Sequence, residues 1–142
     1  MFTIIFPVLN ERLRLESGVT RTVEYLQSIA FEDYEIIIVD NGSEDETPQI
    51  AEKLCKKYDK VKYERINVRG VGAAFRRGVE VSHGDVVGYM DIDLSTNIRH
   101  LGEAIHLFET QPEIQYINGS RFARESDTRG RKWYRRITSQ GL

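Results

Sequence analysis

The sequence predicts an α/β fold in which an open, mostly parallel sheet is flanked by helices. Short apolar runs alternate with amphipathic helical patterns along the 142 residues. The runs are continuous, which is typical of strands buried on both faces of a parallel sheet. Polar residues follow the first, second and fourth runs, and a glycine-rich stretch follows the third. We therefore expect one functional edge, at the carboxyl ends of the strands.

We expect five strands, namely Phe2–Val8, Tyr34–Val39, Val61–Ile66, Val86–Met90 and Gln115–Ile117. Apolar side chains recur at helical spacing after the first strand and after the fourth. These side chains are Val19, Val23, Leu26 and Ile29, and then Ile98, Leu101, Ile105 and Phe108. Thr47 and Pro48 indicate a helix start, with the Thr47 hydroxyl as its cap. The glycine-rich stretch at 69–78 opens a further helix.

Composition limits the class of protein. Hydrophobic residues make up 40% of the chain and charged residues 30%, as in ordinary globular proteins, and the length suits a single domain. The sequence has no apolar run of membrane-spanning length. Met1 leads directly into strand-like sequence, so we expect no signal peptide. The single Cys55 fits a reducing compartment, and together these features predict a cytoplasmic protein.

Charge is distributed unevenly along the chain. The net charge is −2, but residues 121–142 contain seven Arg or Lys and two acidic residues, which leaves −7 on the first 120 residues. We expect residues 1–120 to form the sheet-containing core of one domain spanning 1–142. Residues 121–142 would then be a basic segment that contacts an anionic partner. A solvated, frayed terminus would have the same composition.

Two acidic residues follow the fourth apolar run. Asp91 and Asp93 are two positions apart, so an extended, pleated backbone would point both carboxylates to one side. Oxygen ligands of this kind suit Mg²⁺ or Mn²⁺, with phosphates completing the coordination shell. A plain turn after the strand is the alternative, because Asp is common in turns.

The other polar clusters also allow two interpretations. In the stretch at 69–78, glycines and a helix N-terminus favour a bound phosphate, but small residues packed on the sheet would give the same pattern. Phe75 stands where a dinucleotide fingerprint has its third glycine, and the loop after the first strand has no glycine, so a nicotinamide enzyme is not expected. Asp40 could bind a ribose or base, or belong to a turn at Asn41 and Gly42.

Together the motifs resemble a known family. P-V-L-N-E (7–11), D-N-G-S-x-D-x-T (40–47), R-G-x-G-A-A-x-R-R-G (69–78), M-D-x-D-L-S (90–95) and G-S-R (119–121) occur in this order. The set looks like the family-2 glycosyltransferases of GT-A fold, which is Rossmann-like. Within them it most resembles the dolichyl- and polyprenyl-phosphate hexose synthases, whose basic segment after G-S-R is similar to residues 135–141. The family's catalytic domain normally continues past the position of Leu142, so we expect its C-terminal part to be missing here.

The resemblance implies a role for each matching position. The nucleotide sugar would contact Pro7, Leu9, Glu11, Val39, Asp40, Gly70, Asp91, Ile92 and Ser95. Asp91 and Asp93 would bind the divalent cation, Mg²⁺ or Mn²⁺, across the diphosphate. Arg121, Arg135 and Ser139 would hold phosphates of acceptor and donor, and the catalytic set would be Asp91, Asp93 and Arg121. The family often has a small residue in place of Ile92 and Gln in place of Ser95, which leaves the nucleotide and sugar preference open.

The implied reaction transfers a hexose from a nucleotide diphosphate sugar, of GDP-mannose or UDP-glucose type, to a polyprenyl or dolichyl phosphate, with inversion. The cation would stabilise the leaving nucleoside diphosphate. The acceptor phosphate, whose second pKa is about 6, needs little help from a base. We expect peripheral contact with the cytoplasmic face of a membrane, and no nucleic-acid partner.

Two other functions are compatible with the motifs. One is a non-catalytic fragment that binds a nucleotide sugar. The other is a phosphatase of the haloacid dehalogenase type, in which the first Asp of D-x-D-x-[ST] attacks phosphorus. That motif normally ends the first strand of its domain, whereas Asp91 follows three strand–helix units.

Overall fold

The computed structural model describes residues 1–119, where four strands and four helices alternate. The elements are β1 (Phe2–Val8), α1 (Leu15–Ser28), β2 (Tyr34–Asp40), α2 (Thr47–Lys57), β3 (Val61–Arg65), α3 (Val71–Val81), β4 (Val86–Tyr89) and α4 (Arg99–Thr110). The strands form one sheet in the order β3-β2-β1-β4, and every neighbouring pair is parallel. The predicted α/β fold is confirmed.

The two central strands are the ones with the longest apolar runs. All seven residues of β2 are buried, as are all those of β1 except Pro7. The edge strands β3 and β4 are more exposed, because a helix layer covers an edge strand only in part. Burial on both faces therefore explains why β1 and β2 lack the polar alternation of a one-sided strand.

Helices cover the two faces of the sheet unequally. Side chains of α1, α2 and α4 form the larger core with one face of the sheet, with Phe6, Leu15 and Ile36 fully buried. The other face has a smaller core, composed of Ile5, Ile37, Val39 and Ala74 beneath α3. The helices pack on the faces, so the loops at the carboxyl ends of the strands are left accessible.

The predicted fifth strand is absent from the described residues. Residues 111–119 form no strand, and Tyr116 is 79% exposed. A parallel strand beside β4 would need a right-handed crossover whose helix lies on the α3 face. Helix α4 instead packs with α1, as the contact of Tyr25 with the backbone of Arg99 shows. The prediction of a strand at Gln115–Ile117 is therefore wrong for residues 1–119, among which this segment has no strand partner.

A buried carboxylate joins the strands at the end of the sheet where they begin, away from their carboxyl ends. The side chain of Glu35 is only 5% exposed. It accepts hydrogen bonds from the Thr3 hydroxyl (2.8 Å), the Lys62 ammonium (2.7 Å) and the backbone N–H of His83. Burial raises the pKa of Glu35, but the hydrogen bonds outweigh it and bring the pKa from 4.5 to about 2.

The lowered pKa of Glu35 predicts acid sensitivity of the fold. A carboxylate with a depressed folded-state pKa stabilises the fold above its unfolded pKa, and this contribution is lost as the pH falls from about 4.5 towards 2. We expect the free energy of unfolding to fall by on the order of 2 kcal/mol. The loss is not larger because Lys62 is half-exposed and solvent partly screens its charge. Urea unfolding of wild type and Glu35→Gln at pH 7 and pH 3 measures it. The difference between the two proteins should shrink at pH 3, and a constant difference would contradict the assignment.

Candidate functional site

The polar segments that follow the strands lie along one edge of the sheet. Because all four strands are parallel, the residues after their carboxyl ends meet there, namely Asn10, Asp40, Gly70 and Asp91. The placement predicted for these residues is confirmed. Hydrogen bonds link the first three segments directly, from the N–H of Asn10 to Ser43 Oγ (2.9 Å) and from the N–H of Gly70 to Asn41 Oδ1 (3.3 Å).

The backbone turns sharply where β4 ends. The N–H of Leu94 donates to the carbonyl of Asp91 (3.1 Å), and Leu94 has a φ of 49°. The expectation of an extended backbone from Asp91 to Asp93 is therefore wrong, because pairing with β1 stops at Tyr89 and a turn follows. Both acidic side chains are exposed, and Asp93 Oδ1 accepts the N–H of Ser95 (2.9 Å).

The residue between the two acids anchors this turn to α1. Ile92 is only 3% exposed and belongs to the larger core. It lies against Gly18, where an added Cβ would be 2.3 Å from the Ile92 carbonyl oxygen and 2.8 Å from its Cδ1. Any contact of Ile92 with a ligand would have to come from its backbone, since the side chain faces the core.

The exposed acids fit a cation that has few protein ligands. Within residues 1–119 no group of three or more His, Cys, Asp or Glu side chains is placed to hold a metal ion. Asp91 and Asp93 offer carboxylate oxygens at an accessible edge, so a bound cation would need water or phosphate oxygens for the rest of its shell. Mg²⁺ and Mn²⁺ are the cations that commonly bind in this manner.

Asp40 is buried and already engaged within the protein. Its Oδ1 accepts the N–H of Ser43 (2.8 Å), and its Oδ2 accepts the Tyr63 hydroxyl (2.9 Å) and lies 3.5 Å from Arg65. Burial and the hydrogen bond to Asp40 raise the pKa of Tyr63 to about 12, so its hydroxyl remains a donor. The side chain of Asp40 is 0% exposed and that of Arg65 45%, so the guanidinium is the group that this cluster presents to solvent.

The other predicted contacts around β1 and β2 differ in accessibility. The side chain of Val39 lies in the core beneath α3, which leaves only its backbone for a ligand. Pro7 is half-buried opposite it in the sheet. Leu9 is 36% exposed, and Glu11 pairs with Arg14 (3.1 Å). Leu9 and Glu11 are therefore the residues of this group whose side chains a ligand can reach.

The glycine-rich stretch combines both of the roles considered for it. Gly70 has a φ of +133° and precedes α3. No atom lies within 4 Å of a Cβ added at Gly70 or at Gly72. Farther along, Ala74 is buried, and a Cβ added at Gly78 would lie 2.6 Å from Cδ1 of Ile5. The start of the stretch is thus free to approach an anion, while its end packs on the sheet.

Asn41 is a site residue that the sequence analysis treated only as part of a turn. It is 3% exposed, its Nδ2 donates to the carbonyl of Val8 (2.9 Å) and its Oδ1 accepts the N–H of Gly70. One amide thus joins the ends of β1 and β2 to the start of α3. Sequence could have indicated this role only through the residue type, since Asn donates and accepts at once.

Replacing Asn41 by Asp should destabilise the fold by about 1–3 kcal/mol. The shape is kept, but an oxygen then faces the Val8 carbonyl, and of the two side-chain hydrogen bonds of Asn41 the one from the Gly70 N–H is left to stabilise the new buried charge. Asn67→Asp is the matched control, because Asn67 is exposed in the loop before α3. The midpoint of urea unfolding measures both. Equal midpoints for the two variants would show that the Asn41 amide is not structurally important.

Four backbone N–H groups donate hydrogen bonds between the loops after β1 and β2. The N–H groups of Asn10, Glu11 and Arg12 donate to Ser43 Oγ (2.9 Å), Thr47 Oγ1 (2.8 Å) and Asp45 Oδ2 (3.3 Å), and the N–H of Glu44 donates to Asn10 Oδ1 (2.8 Å). The prediction that Thr47 caps α2 is therefore wrong. Glu46 occupies the cap position without a side-chain hydrogen bond, and the Thr47 hydroxyl is used by Glu11.

The predicted phosphate-binding residues Arg121, Arg135 and Ser139 lie outside the described residues. The same is true of the basic segment 121–142 as a whole. Within residues 1–119, no helix is long and apolar enough to cross a membrane.

An open parallel sheet with exposed acids and a helix N-terminus at its carboxyl edge is typical of nucleotide-binding α/β domains. The sequence profile of Glycosyl transferase family 2 matches residues 3–141. The chain therefore belongs to this family, and the phosphatase alternative is rejected.

Several curated relatives are similar over most of the chain. Glycosyltransferase AglD of Haloferax volcanii is 35% identical, over 84% of this chain and 19% of its own length. Dolichol-phosphate mannosyltransferase of Pyrococcus furiosus is 31% identical, over 98% of this chain and 38% of its own length. Dolichyl-phosphate beta-glucosyltransferase of Mus musculus is 32% identical, over 93% of this chain and 44% of its own length. The chain thus spans less than half the length of each of these relatives.

Solved glycosyltransferase structures share the fold. The structure of Staphylococcus aureus TarS residues 1–349 with UDP-GlcNAc has a TM-score of 0.55 at 26% identity, over 76% of this chain and 31% of that one. Glucosyl-3-phosphoglycerate synthase from Mycobacterium tuberculosis, solved with Mn²⁺, UDP and glucosyl-3-phosphoglycerate, has a TM-score of 0.60 at 23% identity, over 78% and 40%. The predicted GT-A architecture is thereby confirmed.

Proposed function

We propose that this chain is the donor-binding part of an inverting, metal-dependent hexosyltransferase that acts on a polyprenyl or dolichyl phosphate. The observation that carries the proposal is the shared edge, where the exposed turn at Asp91 and Asp93 lies with the loop after β1 and the N-terminus of α3. A nucleotide diphosphate sugar needs such a combination of a surface for the nucleotide and groups that neutralise the diphosphate.

In this proposal each element has a distinct task. Asp91 and Asp93 hold Mg²⁺ or Mn²⁺, which when bound neutralises charge on the leaving nucleoside diphosphate. Leu9 and Glu11 border the nucleotide. The Gly70 N–H is bonded to Asn41 Oδ1, so the backbone N–H groups that follow it at the start of α3 are the ones offered to an anion. Ser95 lies in the same exposed loop as Asp93. The protein's contribution is then alignment and charge neutralisation rather than proton transfer.

The names of the relatives support a polyprenyl or dolichyl phosphate as the acceptor. They do not decide between mannose and glucose as the transferred sugar. A dolichol-phosphate mannosyltransferase and a dolichyl-phosphate beta-glucosyltransferase match the chain at 31% and 32% identity. GDP-mannose and UDP-glucose are therefore the donors to compare. Arg121, Arg135 and Ser139 are the proposed acceptor contacts, carried by the basic segment that follows the core.

A thermal-shift screen of the 142-residue chain tests the donor site. UDP, GDP, UDP-glucose and GDP-mannose are each added with and without Mn²⁺. A ligand at 100 times its dissociation constant should stabilise the fold by about 2.7 kcal/mol. Stabilisation by one nucleotide series only in the presence of Mn²⁺ is the expected result. No stabilisation by any of the four would contradict the proposal, and binding without transfer to a polyprenyl phosphate would favour a non-catalytic binding fragment.

The basic segment predicts salt-dependent binding to anionic membranes. Each Arg or Lys near such a surface contributes about 1 kcal/mol, and residues 121–142 carry seven of them with Trp133 and Tyr134. We expect the chain to sediment with vesicles containing anionic lipid, less at high salt, and less after Arg121→Ala/Arg135→Ala. Vesicles of neutral lipid are the control. Equal, negligible sedimentation of the intact chain with both vesicle types would leave only a solvated segment.

A further inference from the structure

Half of the D-N-G-S-x-D-x-T motif faces the neighbouring loop. Ser43, Asp45 and Thr47 alternate along the chain, and each accepts the backbone N–H of a different residue in the loop after β1. Ser43 is 2% exposed and Thr47 0%. The Ser43 and Thr47 hydroxyls thus accept the amides of Asn10 and Glu11, and the Asp45 carboxylate accepts that of Arg12.

These contacts fix a segment that has little apolar support, together with an exposed ion pair between Arg12 and Glu46 (3.1 Å). Asn10 has a φ of 55°, which is uncommon for a residue with a side chain, and Leu13 is 85% exposed. The segment between β1 and α1 therefore has few apolar contacts that could hold it. The return bond from the N–H of Glu44 to Asn10 Oδ1 (2.8 Å) closes the connection from the other side.

We infer that Ser43 and Thr47 are positioning residues, which hold the loop at 10–12 in the conformation that receives the nucleotide. The inference rests on the proposed function, because it assigns the purpose of the held loop. Thr47 is the more direct one to test, since its hydroxyl accepts the N–H of Glu11, the residue proposed to border the nucleotide. Without the hydroxyl that donor has to find water, and the loop has to move to reach it.

Thr47→Val removes the hydroxyl at nearly constant shape, and Thr47→Ser restores it. Affinity for UDP and GDP with Mn²⁺ is measured by calorimetry, and amide hydrogen exchange at Glu11 reports the loop itself. Thr47→Val should weaken nucleotide binding about tenfold or more and speed exchange at Glu11 by a similar factor, while Thr47→Ser stays near wild type. Thr110→Val, on the exposed end of α4, is the control for the substitution.

The two readouts separate this inference from the proposed function. Wild-type affinity in Thr47→Val would overturn the positioning role, and so would unchanged exchange at Glu11. Weakened binding that Thr47→Ser fails to restore would also overturn it, because the hydroxyl would then not be the cause. If the wild type binds neither nucleotide while Glu11 exchange still responds to Thr47→Val, the bond is structural only, and both the proposed function and the positioning role fail.

Discussion

Asp93→Ala is expected to abolish Mn²⁺-dependent nucleotide binding while leaving the fold nearly as stable as wild type. The carboxylate is exposed, and its hydrogen bond from the Ser95 N–H lies at the surface, so its loss should cost no more than about 1 kcal/mol of stability. In the proposed site Asp91 and Asp93 would be the only protein ligands of the metal, so the loss of one should release it. We expect affinity for UDP or GDP in the presence of Mn²⁺ to fall at least about 100-fold.

Asp59→Ala is the matched control for this experiment. Asp59 is also an exposed carboxylate, but it precedes β3 at the opposite edge of the sheet. Calorimetric titration and a melting curve are recorded for both variants. If Asp93→Ala keeps its Mn²⁺-dependent affinity, the carboxylate does not bind the metal. If it melts far below Asp59→Ala, Asp93 is a structural residue instead.

Gly18→Ala is expected to disturb the acidic turn from beneath. An added Cβ would lie 2.3 Å from the carbonyl oxygen of Ile92, and reaching an ordinary contact requires a shift of about 1 Å. Overpacking of this kind costs about 1–3 kcal/mol of stability. Because Asp91 and Asp93 flank Ile92, the shift should also weaken Mn²⁺-dependent nucleotide binding, by up to about 100-fold if the carboxylates move as far.

The same substitution at Gly72 provides the control. Nothing lies within 4 Å of a Cβ added there, and alanine is the better helix former, so Gly72→Ala should be neutral or stabilising. Urea unfolding compares the stability of the two variants. Equal stability of Gly18→Ala and wild type would mean that α1 does not hold the turn in place.

The sequence predicted the sheet well because its central strands are buried on both faces. The continuous apolar runs of β1 and β2 allow few other structures, and the polar residues after them indicated the functional edge. The prediction of a fifth strand was wrong because it used a three-residue pattern and did not consider where α4 would pack. A strand exists only with a partner, and partners are set by the topology of the whole sheet.

The functional side chains were harder to assign than their location. Asp40 and Val39 were predicted to contact the nucleotide, yet both side chains are buried, which no spacing rule reveals. Thr47 and Pro48 looked like a helix start, and the helix does begin there, but the hydroxyl bonds Glu11 instead of capping it. Residue type limits the available hydrogen bonds, and the three-dimensional neighbours decide which of them form.

Paramagnetic broadening by Mn²⁺ tests most directly whether a metal-bound nucleotide occupies this edge. Amide spectra of the labelled 142-residue chain are recorded with UDP or GDP, before and after substoichiometric Mn²⁺. We expect the amides of Ile92, Asp93 and Gly70 to broaden first, while those of Glu35 and His83 at the opposite edge stay sharp. Broadening centred on Glu35 and His83, or none at any of these amides, would contradict a donor site at the carboxyl ends of the strands.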